Sequence, residues 1–354
     1  MNDKLLELRN QIDALDDQLL ALLNQRGRLA QAVGHAKNGG PIYRPEREAQ
    51  VVRRLQTANP GPLPNASVEL LFKEIMSACR SLEQPMTVAY LGPEGTFSEA
   101  AAVKQFGQSA QGLSAASIDE VFRAVEEGQA HYGVVPVENS SEGAIGRTLD
   151  LLLTTPVGIC GEVMLRVRQN LLRREGGLDG VRVVYSHAQS LGQCQGWLNA
   201  HLPDAERIAV SSNAEAASLA AGQRDAVAIA GEMAAGRYGL AIVAPGIEDD
   251  AGNTTRFLVL GRDSTAPSGR DKTSLAIYAK NKPGALLELI EPFARMGVGL
   301  NKLESRPARS GSWEYVFFID LEGHRQEPRV AEALHEAAGH ALSLKILGSY
   351  PTAL

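Results

Sequence analysis

A leucine stripe near the amino terminus constrains the fold more than any other feature of this sequence. Apolar side chains recur at alternating spacings of three and four residues, at Leu5, Leu8, Ile12, Leu15, Leu19, Leu22, Leu29 and Val33. This is the a/d period of a helix that packs against other helices. The stripe therefore predicts one long helix with an apolar seam that needs a partner.

Arg26 interrupts the stripe at the position between Leu22 and Leu29 that the period would make apolar. Lys37 follows close to the same face, and Arg9 precedes it on a flanking face. At about 1.5 Å per residue, Arg9 and Arg26 are about 26 Å apart on one helix, so one chain cannot bring both to a small molecule. An antiparallel partner helix can, which predicts a homodimer and leaves a tetramer open. A snorkelling surface arginine is the alternative reading.

Composition narrows the class of protein. The chain has 354 residues, of which 44% are hydrophobic and 21% charged, and this predicts two or three globular domains. A net charge of −6 argues against nucleic-acid binding, so any anion site must be a local cluster. No run reaches about 18 apolar residues, so no membrane span is expected. The cysteines at 79, 160 and 194 lack ligand spacing, which favours reduced thiols and a cytoplasmic location.

Two further helices are predicted at about 45–58 and 66–83, on either side of the turn "NPGPLPN". From 87 to about 260 the pattern changes to short apolar runs, each followed by a Gly, Ser or Asn turn and a helical stretch. Examples are "TVAYLGPEGTFSEAAA" and "RVVYSHAQSLGQCQGWL". Such alternation predicts an α/β fold with parallel strands, whose ligands gather at the carboxyl ends of the strands.

Polar side chains stand at several of these strand ends. They are Thr96, Ser98, Glu138, Asn139, Ser186 and Gln193. Each one alone is more typical of a helix cap than of a ligand contact. Because several strand ends in one segment carry polar side chains, they together predict a shared cleft.

The segment "AGNTTRF" closes this part of the chain. Thr254 and Thr255 offer hydroxyl groups and Arg256 a permanent positive charge, between an acidic loop and the apolar run "FLVLG". These residue types predict that an anion is handled here. The alternative for Thr254 is an ordinary turn residue.

After a linker at 261–272, the last segment is predicted to alternate as βαββαβ, with its third strand in 312–323; this is the ferredoxin-like order. It has no nucleophile and base pair, so a binding or regulatory module is expected. Gly284 and Ala285 stand at a strand-to-helix junction, where backbone N–H groups suit a carboxylate. Asn301 and residues 304–307 are expected near the end of the next strand, where they suit an ammonium group. Together they fit an amino acid.

Several of these segments resemble one family. "GPEGTFSEAA", "VPVENSSEGAIGRTLDLL", "SHAQSLGQC" and "NTTRF" are similar to successive signatures of prephenate dehydratases, while "GALL" and "ESRP" resemble the effector motifs of ACT domains. In this order, after the helical segment, they resemble the bifunctional chorismate mutase and prephenate dehydratase family of phenylalanine biosynthesis.

The resemblance implies a multidomain chain. An all-α mutase domain would occupy 1–84, an α/β two-lobed dehydratase domain like the periplasmic binding proteins 86–262, and an α+β ferredoxin-like ACT domain 272–354. Chorismate would be rearranged to prephenate, and prephenate dehydrated and decarboxylated to phenylpyruvate. No cofactor or metal is implied.

The resemblance also implies roles for individual residues. In the mutase, two arginine forks would hold the substrate carboxylates, Lys37 would donate to the ether oxygen, Glu48 would accept the ring hydroxyl, and Glu83 would help only when protonated. The mutase set is Arg9 from the partner subunit, with Arg26, Lys37, Arg47, Glu48, Cys79 and Glu83. The dehydratase set is Thr255 as the catalytic hydroxyl, with Glu138, Asn139, Ser186, Gln193, Arg256 and Phe257.

For the ACT domain, the resemblance implies feedback inhibition by L-phenylalanine, bound between ACT domains of paired subunits. The effector set is Gly284, Ala285, Leu286, Asn301, Glu304, Ser305, Arg306 and Pro307. Truncation after Gly261 is expected to keep both activities and to lose inhibition.

Two other classes of protein remain open from the residues alone. The α/β segment suits an amino-acid or anion-binding module without catalysis, although such proteins are usually exported and no signal peptide is seen. The helical segment suits a dimerisation coil, although that reading leaves Arg26 in the seam unexplained.

Overall fold

The computed structural model describes residues 2–37, 40–280, 282–307 and 315–353. The chain forms two compact units, residues 1–86 with 106–111, and residues 87–105 with 112–354. The start of the strand predicted within 312–323 lies outside the described residues, which resume at Tyr315.

The first unit is helical, as predicted, and consists of α1 (Asn2–Ala36), α2 (Pro45–Ala58) and α3 (Asn65–Ser81). The second half of α1 packs on the end of α3. Gly34 makes this approach possible, because a Cβ atom there would lie 3.0 Å from Cγ of Glu83. The first half of α1 keeps its leucine face exposed, from 46% at Leu5 to 61% at Leu22.

The second unit begins with a lobe built from the 87–166 segment. Its elements are β1 (Thr87–Leu91), α4 (Phe97–Phe106), β2 (Gln111–Ala115), α5 (Ile118–Glu126), β3 (Tyr132–Asn139), β4 (Gly143–Ala144), α6 (Gly146–Thr154) and β5 (Gly158–Arg166).

The chain then crosses into a second lobe with strand order β10-β6-β9-β7-β8. Its elements are β6 (Asn170–Arg173), β7 (Val183–His187), α7 (Ala188–Gln193), α8 (Gln195–His201), β8 (Glu206–Val210), α9 (Asn213–Ala221), β9 (Ala226–Ala230), α10 (Glu232–Tyr238) and β10 (Ala241–Ala244).

Strand β11 (Thr254–Gly261) returns to the first lobe and completes the order β2-β1-β3-β11-β5, with β4 pairing β3. The prediction of parallel strands is confirmed for the pairs β1–β3, β7–β8 and β7–β9. It is wrong for β11, which is antiparallel to both neighbours, and for β6, which is antiparallel to β9 and β10. Strand β11 is antiparallel to β5 because the chain leaves the first lobe at Arg166, the end of β5, and returns opposite that residue at Thr254, the start of β11.

The last part of the second unit has the predicted βαββαβ order. It consists of β12 (Asp271–Tyr278), α11 (Ala285–Arg295), β13 (Leu300–Pro307), β14 (Tyr315–Glu322), α12 (Pro328–His340) and β15 (Ser343–Pro351). The strand order is β13-β14-β12-β15, with antiparallel neighbours. This is the ferredoxin-like arrangement.

The first lobe and this C-terminal domain share one apolar core. Ile159 and Leu258 belong to the same buried cluster as Phe318 and Leu347. At Gly348 the backbones approach so closely that a Cβ atom would lie 2.0 Å from the Ile159 carbonyl oxygen. Removing residues 262–354 would expose this core, which argues against the expectation that truncation after Gly261 keeps the dehydratase active.

Within the described part of the chain, no helix combines the length and the apolar character that crossing a membrane would require.

Candidate functional site

A cavity of about 500 Å³ opens between the two lobes, at the ends of strands from both sheets. Among the described residues that line it, His187 has the one titratable side chain, and no lysine or arginine contributes. The polar side chains of the lining are Thr96, Ser98, Asn139, Gln169, His187, Gln189, Ser190, Gln193, Ser211, Ser212, Asn213, Asn253 and Thr255.

Thr255 and Asn139 form a hydrogen-bonded pair in this cleft. They are register partners on β11 and β3, and both are 8% exposed. Nδ2 of Asn139 donates to Oγ1 of Thr255 at 2.9 Å and to Oδ1 of Asn253 at 2.8 Å. The backbone N–H of Ser141 donates to Oδ1 of Asn139 at 2.9 Å, which fixes the orientation of the amide. The Thr255 oxygen therefore accepts from Asn139 and its own proton stays available to a ligand.

Amides and hydroxyls from the second lobe form a connected network on the other side of the cleft. Gln169 donates to Ser190 at 3.0 Å and to Gln193 at 3.2 Å, and Asn213 donates to Ser190 at 2.9 Å. Ser186 is fully buried and does not line the cavity; it donates to Asn213 at 2.9 Å. The structure thus corrects the prediction that Ser186 lines the cleft, because its hydroxyl instead orients Asn213.

Two helices of eight residues or more begin at the cavity. Helix α4 begins at Phe97 and α9 at Asn213, and both residues line the cavity. Ser212 caps α9 by accepting from the Glu215 backbone N–H at 3.0 Å. Because helix N-termini carry free N–H groups and a partial positive charge, they suit anionic ligands. The cleft can therefore hold carboxylates without basic side chains.

Arg256 does not line the cleft, contrary to its prediction as a substrate contact, because it follows Thr255 on a strand and points to the opposite face. Its guanidinium donates to Glu162 at 2.8 Å, to Asp320 at 2.5 Å and to Tyr350 at 3.0 Å. Burial acts to lower the pKa of Arg256, but its interactions with Tyr350, Asp320 and Glu162 outweigh burial, so the pKa is raised. Burial, with Asp320 nearby, also raises the pKa of Tyr350, so its phenol stays neutral.

Two other predicted residues also lie away from the cavity. Glu138 is on the same outer face as Arg256, 3.9 Å from it, and pairs with Lys302 at 2.8 Å. Phe257 is buried in the sheet at 2% exposure and is absent from the described cavity lining. Of the predicted dehydratase residues, the structure brings together Asn139, Gln193 and Thr255. Gln169, His187, Ser190, Asn213 and Asn253 join them, and the residue-by-residue prediction missed these five.

In the helical unit, the structure brings the predicted acids beside basic residues. Lys37 pairs with Glu83 at 3.4 Å. Glu48 pairs with Arg80, which was not predicted although it lies in the last turn of α3, shortly before Glu83. Burial raises the pKa of Glu48, and the positive charges of Arg80, Lys73 and Arg26 only partly oppose it.

The other predicted mutase residues differ in exposure. Cys79 is buried in α3, Arg26 is half-buried, and Arg9 and Arg47 are exposed. Helix α1 is continuous over Asn2–Ala36, so Arg9 stays about 26 Å along the helix from Arg26.

Among the predicted effector residues, Gly284 caps α11 with φ 78°, a left-handed conformation that favours glycine, and Ala285 and Leu286 form the first turn. Val316 on β14 is the register partner of both Tyr278 on β12 and Arg306 on β13. The end of β13 therefore lies at the same end of the sheet as the Gly284 turn, which follows β12.

Strand β13 presents two different faces. Asn301, Ser305 and Pro307 are exposed, whereas Glu304 and Arg306 are half-buried. Arg306 donates to the Gly146 carbonyl oxygen at 2.6 Å, on α6 of the first lobe, and lies 3.4 Å from Asp150. Asn301 is near the start of β13, about 16 Å from Arg306, and not near the strand's end as predicted.

Comparison with known proteins gives three consecutive family matches. They are chorismate mutase type II over residues 8–84, prephenate dehydratase over 88–265 and an ACT domain over 273–339. A bifunctional chorismate mutase/prephenate dehydratase of Neisseria gonorrhoeae is 52% identical over 357 residues, covering 100% of this chain and 99% of the relative.

Two solved structures are similar over 75% of the chain. One is a prephenate dehydratase from Arthrobacter aurescens in complex with L-Phe, with 33% identity, a TM-score of 0.69 and 90% of that chain covered. The other is described as a novel type of quorum quenching acylase, with 29% identity, a TM-score of 0.70 and 98% of that chain covered.

Proposed function

Because this chain belongs to the family of bifunctional chorismate mutase/prephenate dehydratases and is an enzyme with both activities, we propose that prephenate reacts at Thr255 in the cleft between the lobes. The observation that supports this site is the Asn139–Thr255 hydrogen bond of 2.9 Å. Asn139 occupies a lone pair of the Thr255 oxygen, so the Thr255 proton is directed to the substrate.

The reaction removes a hydroxyl group and a carboxylate from the prephenate ring. The bond between the ring and the carboxylate breaks, its electron pair enters the ring, carbon dioxide leaves, and the hydroxyl leaves as water after it gains a proton. Thr255 donates a hydrogen bond to the departing hydroxyl, which strengthens in the transition state. A threonine is too weak an acid to supply the proton by itself.

His187 is a second hydrogen-bond donor among the described residues that line the cleft. The Gln189 backbone N–H donates to its Nδ1 at 3.4 Å, so a neutral imidazole carries its proton on Nε2. A neutral imidazole is itself too weak an acid to give up this proton. The Nε2–H of His187 and the Thr255 hydroxyl therefore donate hydrogen bonds to the leaving hydroxyl, and the proton that completes the water comes from solvent.

The absence of basic side chains among the described lining residues also suits this reaction. The carboxylate on the ring becomes neutral carbon dioxide, so a strong cation beside it would stabilise the substrate more than the transition state. Helix N-termini and side-chain amides instead hold the prephenate dianion through several weaker contacts.

The dehydratase assignment is tested with two substitutions at Thr255. Thr255→Ser keeps the hydroxyl and is expected to keep measurable turnover of prephenate, whereas Thr255→Val keeps the volume and is expected to lose it. Equal rates in the two variants would remove Thr255 from the chemistry.

For the mutase we propose a site shared by two subunits. Arg26 and Arg47 act with Arg9 of the partner subunit on the substrate carboxylates, Lys37 donates to the ether oxygen, and Glu48 accepts the ring hydroxyl. Support for a second copy comes from the leucine face of α1, which is 46% to 61% exposed between Leu5 and Leu22. Arg80 holds Glu48 in place. Arg26→Ala is expected to abolish the mutase alone; equal loss of both activities would indicate unfolding.

For regulation we propose that L-phenylalanine binds the C-terminal domain and inhibits the dehydratase more strongly than the mutase. Support comes from the ACT family match and from the Arthrobacter aurescens relative, whose structure is a complex with L-Phe. The Gly284 turn supplies N–H groups for a carboxylate, and the exposed face of β13 supplies oxygen acceptors. Calorimetry on the full chain tests this, and no heat of binding would refute it.

A further inference from the structure

At the proposed catalytic pair, Asn139 and Thr255, strands β3 and β11 present one face to the cleft and the other to the C-terminal domain. Each face carries its own pair of facing side chains. On the cleft face Asn139 and Thr255 are register partners joined at 2.9 Å. On the outer face the adjacent register pair is Glu138 with Arg256, and their side chains are 3.9 Å apart. Each outer residue is the backbone neighbour of a cleft residue, so a shift of one moves the other.

The C-terminal domain holds this outer pair with a matching pair of its own. Lys302 on β13 and Asp320 on β14 are register partners. Lys302 lies 2.8 Å from Glu138, and Asp320 lies 2.5 Å from Arg256. The four groups form two oppositely charged contacts across the domain boundary, and the side chains of Arg256 and Asp320 are each only 9% exposed.

Neighbouring contacts restrict Arg256 further. Glu162 accepts from its Nε at 2.8 Å, and Tyr350 accepts from Nη2 at 3.0 Å. Ser274 donates to the other oxygen of Asp320. A buried guanidinium with its donors committed in this way has one orientation, and loss of one partner leaves an uncompensated charge that must reorganise.

We propose that Glu138 and Arg256 are positioning residues that tie the catalytic pair Asn139–Thr255 to the C-terminal domain through Lys302 and Asp320. This inference rests on the proposed cleft site. Lys302 projects from β13, whose opposite face carries the exposed Asn301 and Ser305. A displacement of β13 caused by a ligand on that exposed face would therefore reach the catalytic pair by two routes. One runs through Lys302 and Glu138 to Asn139, and the other runs through Asp320 and Arg256 to Thr255.

The test measures prephenate turnover by the full chain with Lys302→Met and Asp320→Asn. Each substitution removes a charge without touching the cleft. We expect kcat to fall about tenfold with KM changed less than about twofold, because misplacement of a reacting group lowers turnover more than binding. The mutase rate in the same samples is expected to stay at the wild-type value. Lys302→Arg, which keeps the charge, is expected to restore most of kcat.

Lys345→Met is the matched control. Lys345 also crosses from the C-terminal domain to the first lobe, where it donates to the carbonyl oxygens of Leu152, Leu153 and Thr155 at 2.7 to 3.1 Å. These hydrogen bonds go to the end of α6 rather than to β3 or β11. This variant is expected to melt at a lower temperature and to keep kcat within about twofold. An equal loss of kcat in all three variants would indicate general loosening and overturn the inference.

A double-mutant cycle adds an independent readout. If Lys302 acts through Glu138, then Glu138→Gln combined with Lys302→Met lowers kcat no further than Lys302→Met alone. Additive losses would contradict the proposed link.

Thr255→Val distinguishes failure of the proposed cleft site from failure of the link to the C-terminal domain. If it loses turnover while Lys302→Met and Asp320→Asn keep wild-type kcat, the cleft site stands and the link is refuted. If it keeps turnover, the cleft site and the link are both refuted.

Discussion

Asn139→Asp replaces an amide by a carboxyl of nearly the same shape and inverts one hydrogen bond at the dehydratase site. Nδ2 of Asn139 donates to Thr255 and to Asn253 at 2.9 and 2.8 Å. A carboxylate has no proton to donate, so it accepts the Thr255 proton and withdraws that proton from the substrate. We expect kcat to fall about 10²- to 10³-fold, roughly 3–4 kcal/mol, the effect of removing one preorganised donor.

The same variant has a pH signature. Asn139 is 8% exposed, and Asn253 presents a carbonyl oxygen to it, so burial and the facing acceptor raise the pKa of the introduced carboxyl above the roughly 3.9 of a solvated aspartate. Below that raised pKa the neutral carboxyl donates again, and the rate recovers as the pH falls. Above it the loss is complete.

The assay is a pH profile of prephenate turnover by the full chain, with Asn139→Ala as the control. Asn139→Ala removes the donor at every pH and is expected to show no recovery toward acid. Wild-type kcat in Asn139→Asp at pH about 8 would refute the claim that Asn139 directs the Thr255 proton.

Four other outcomes follow from particular contacts. Glu83→Gln is expected to raise the mutase rate at neutral pH, because an amide donates to the ether oxygen at every pH, and an unchanged rate would exclude Glu83. The mutase rate is also expected to fall as the pH drops through the pKa of Glu48, which burial raises. Burial raises the pKa of Cys194 to about 12, so this thiol should resist alkylation at pH about 8 in the native chain, and rapid labelling would contradict its placement. Gly348→Ala should lower the free energy of unfolding by about 1–3 kcal/mol in urea melts, because its Cβ would lie 2.0 Å from the Ile159 carbonyl oxygen; unchanged stability would refute that packing.

The fold class was predictable because each segment carries a strong period. The leucine stripe gives α1, and the strand, turn and helix alternation gives the two-lobed segment. The antiparallel course of β11 was not predictable from periodicity, since Thr254 pairs with Arg166 across a chain excursion of nearly ninety residues. Such long-range pairing leaves no local mark in the sequence.

The candidate site was predicted in part. Motif and strand-end arguments placed Thr255 and Asn139 in one cleft, and both residues line the cavity between the lobes. Arg256 was assigned to the same cleft although adjacent residues on a strand point to opposite faces. The sequence did not reveal that Asp320 covers the other face, which is what makes a buried arginine there possible. Gln169 lies between elements, without a motif of its own.

We propose two separate sites in one chain, the second of which depends on the Thr255 hydroxyl. The most direct measurement supplies Thr255→Ala with chorismate and follows chorismate, prephenate and phenylpyruvate together. We expect chorismate to disappear at the wild-type rate, prephenate to accumulate in equal amount, and almost no phenylpyruvate to form. Phenylpyruvate at a rate near that of the wild type would contradict it.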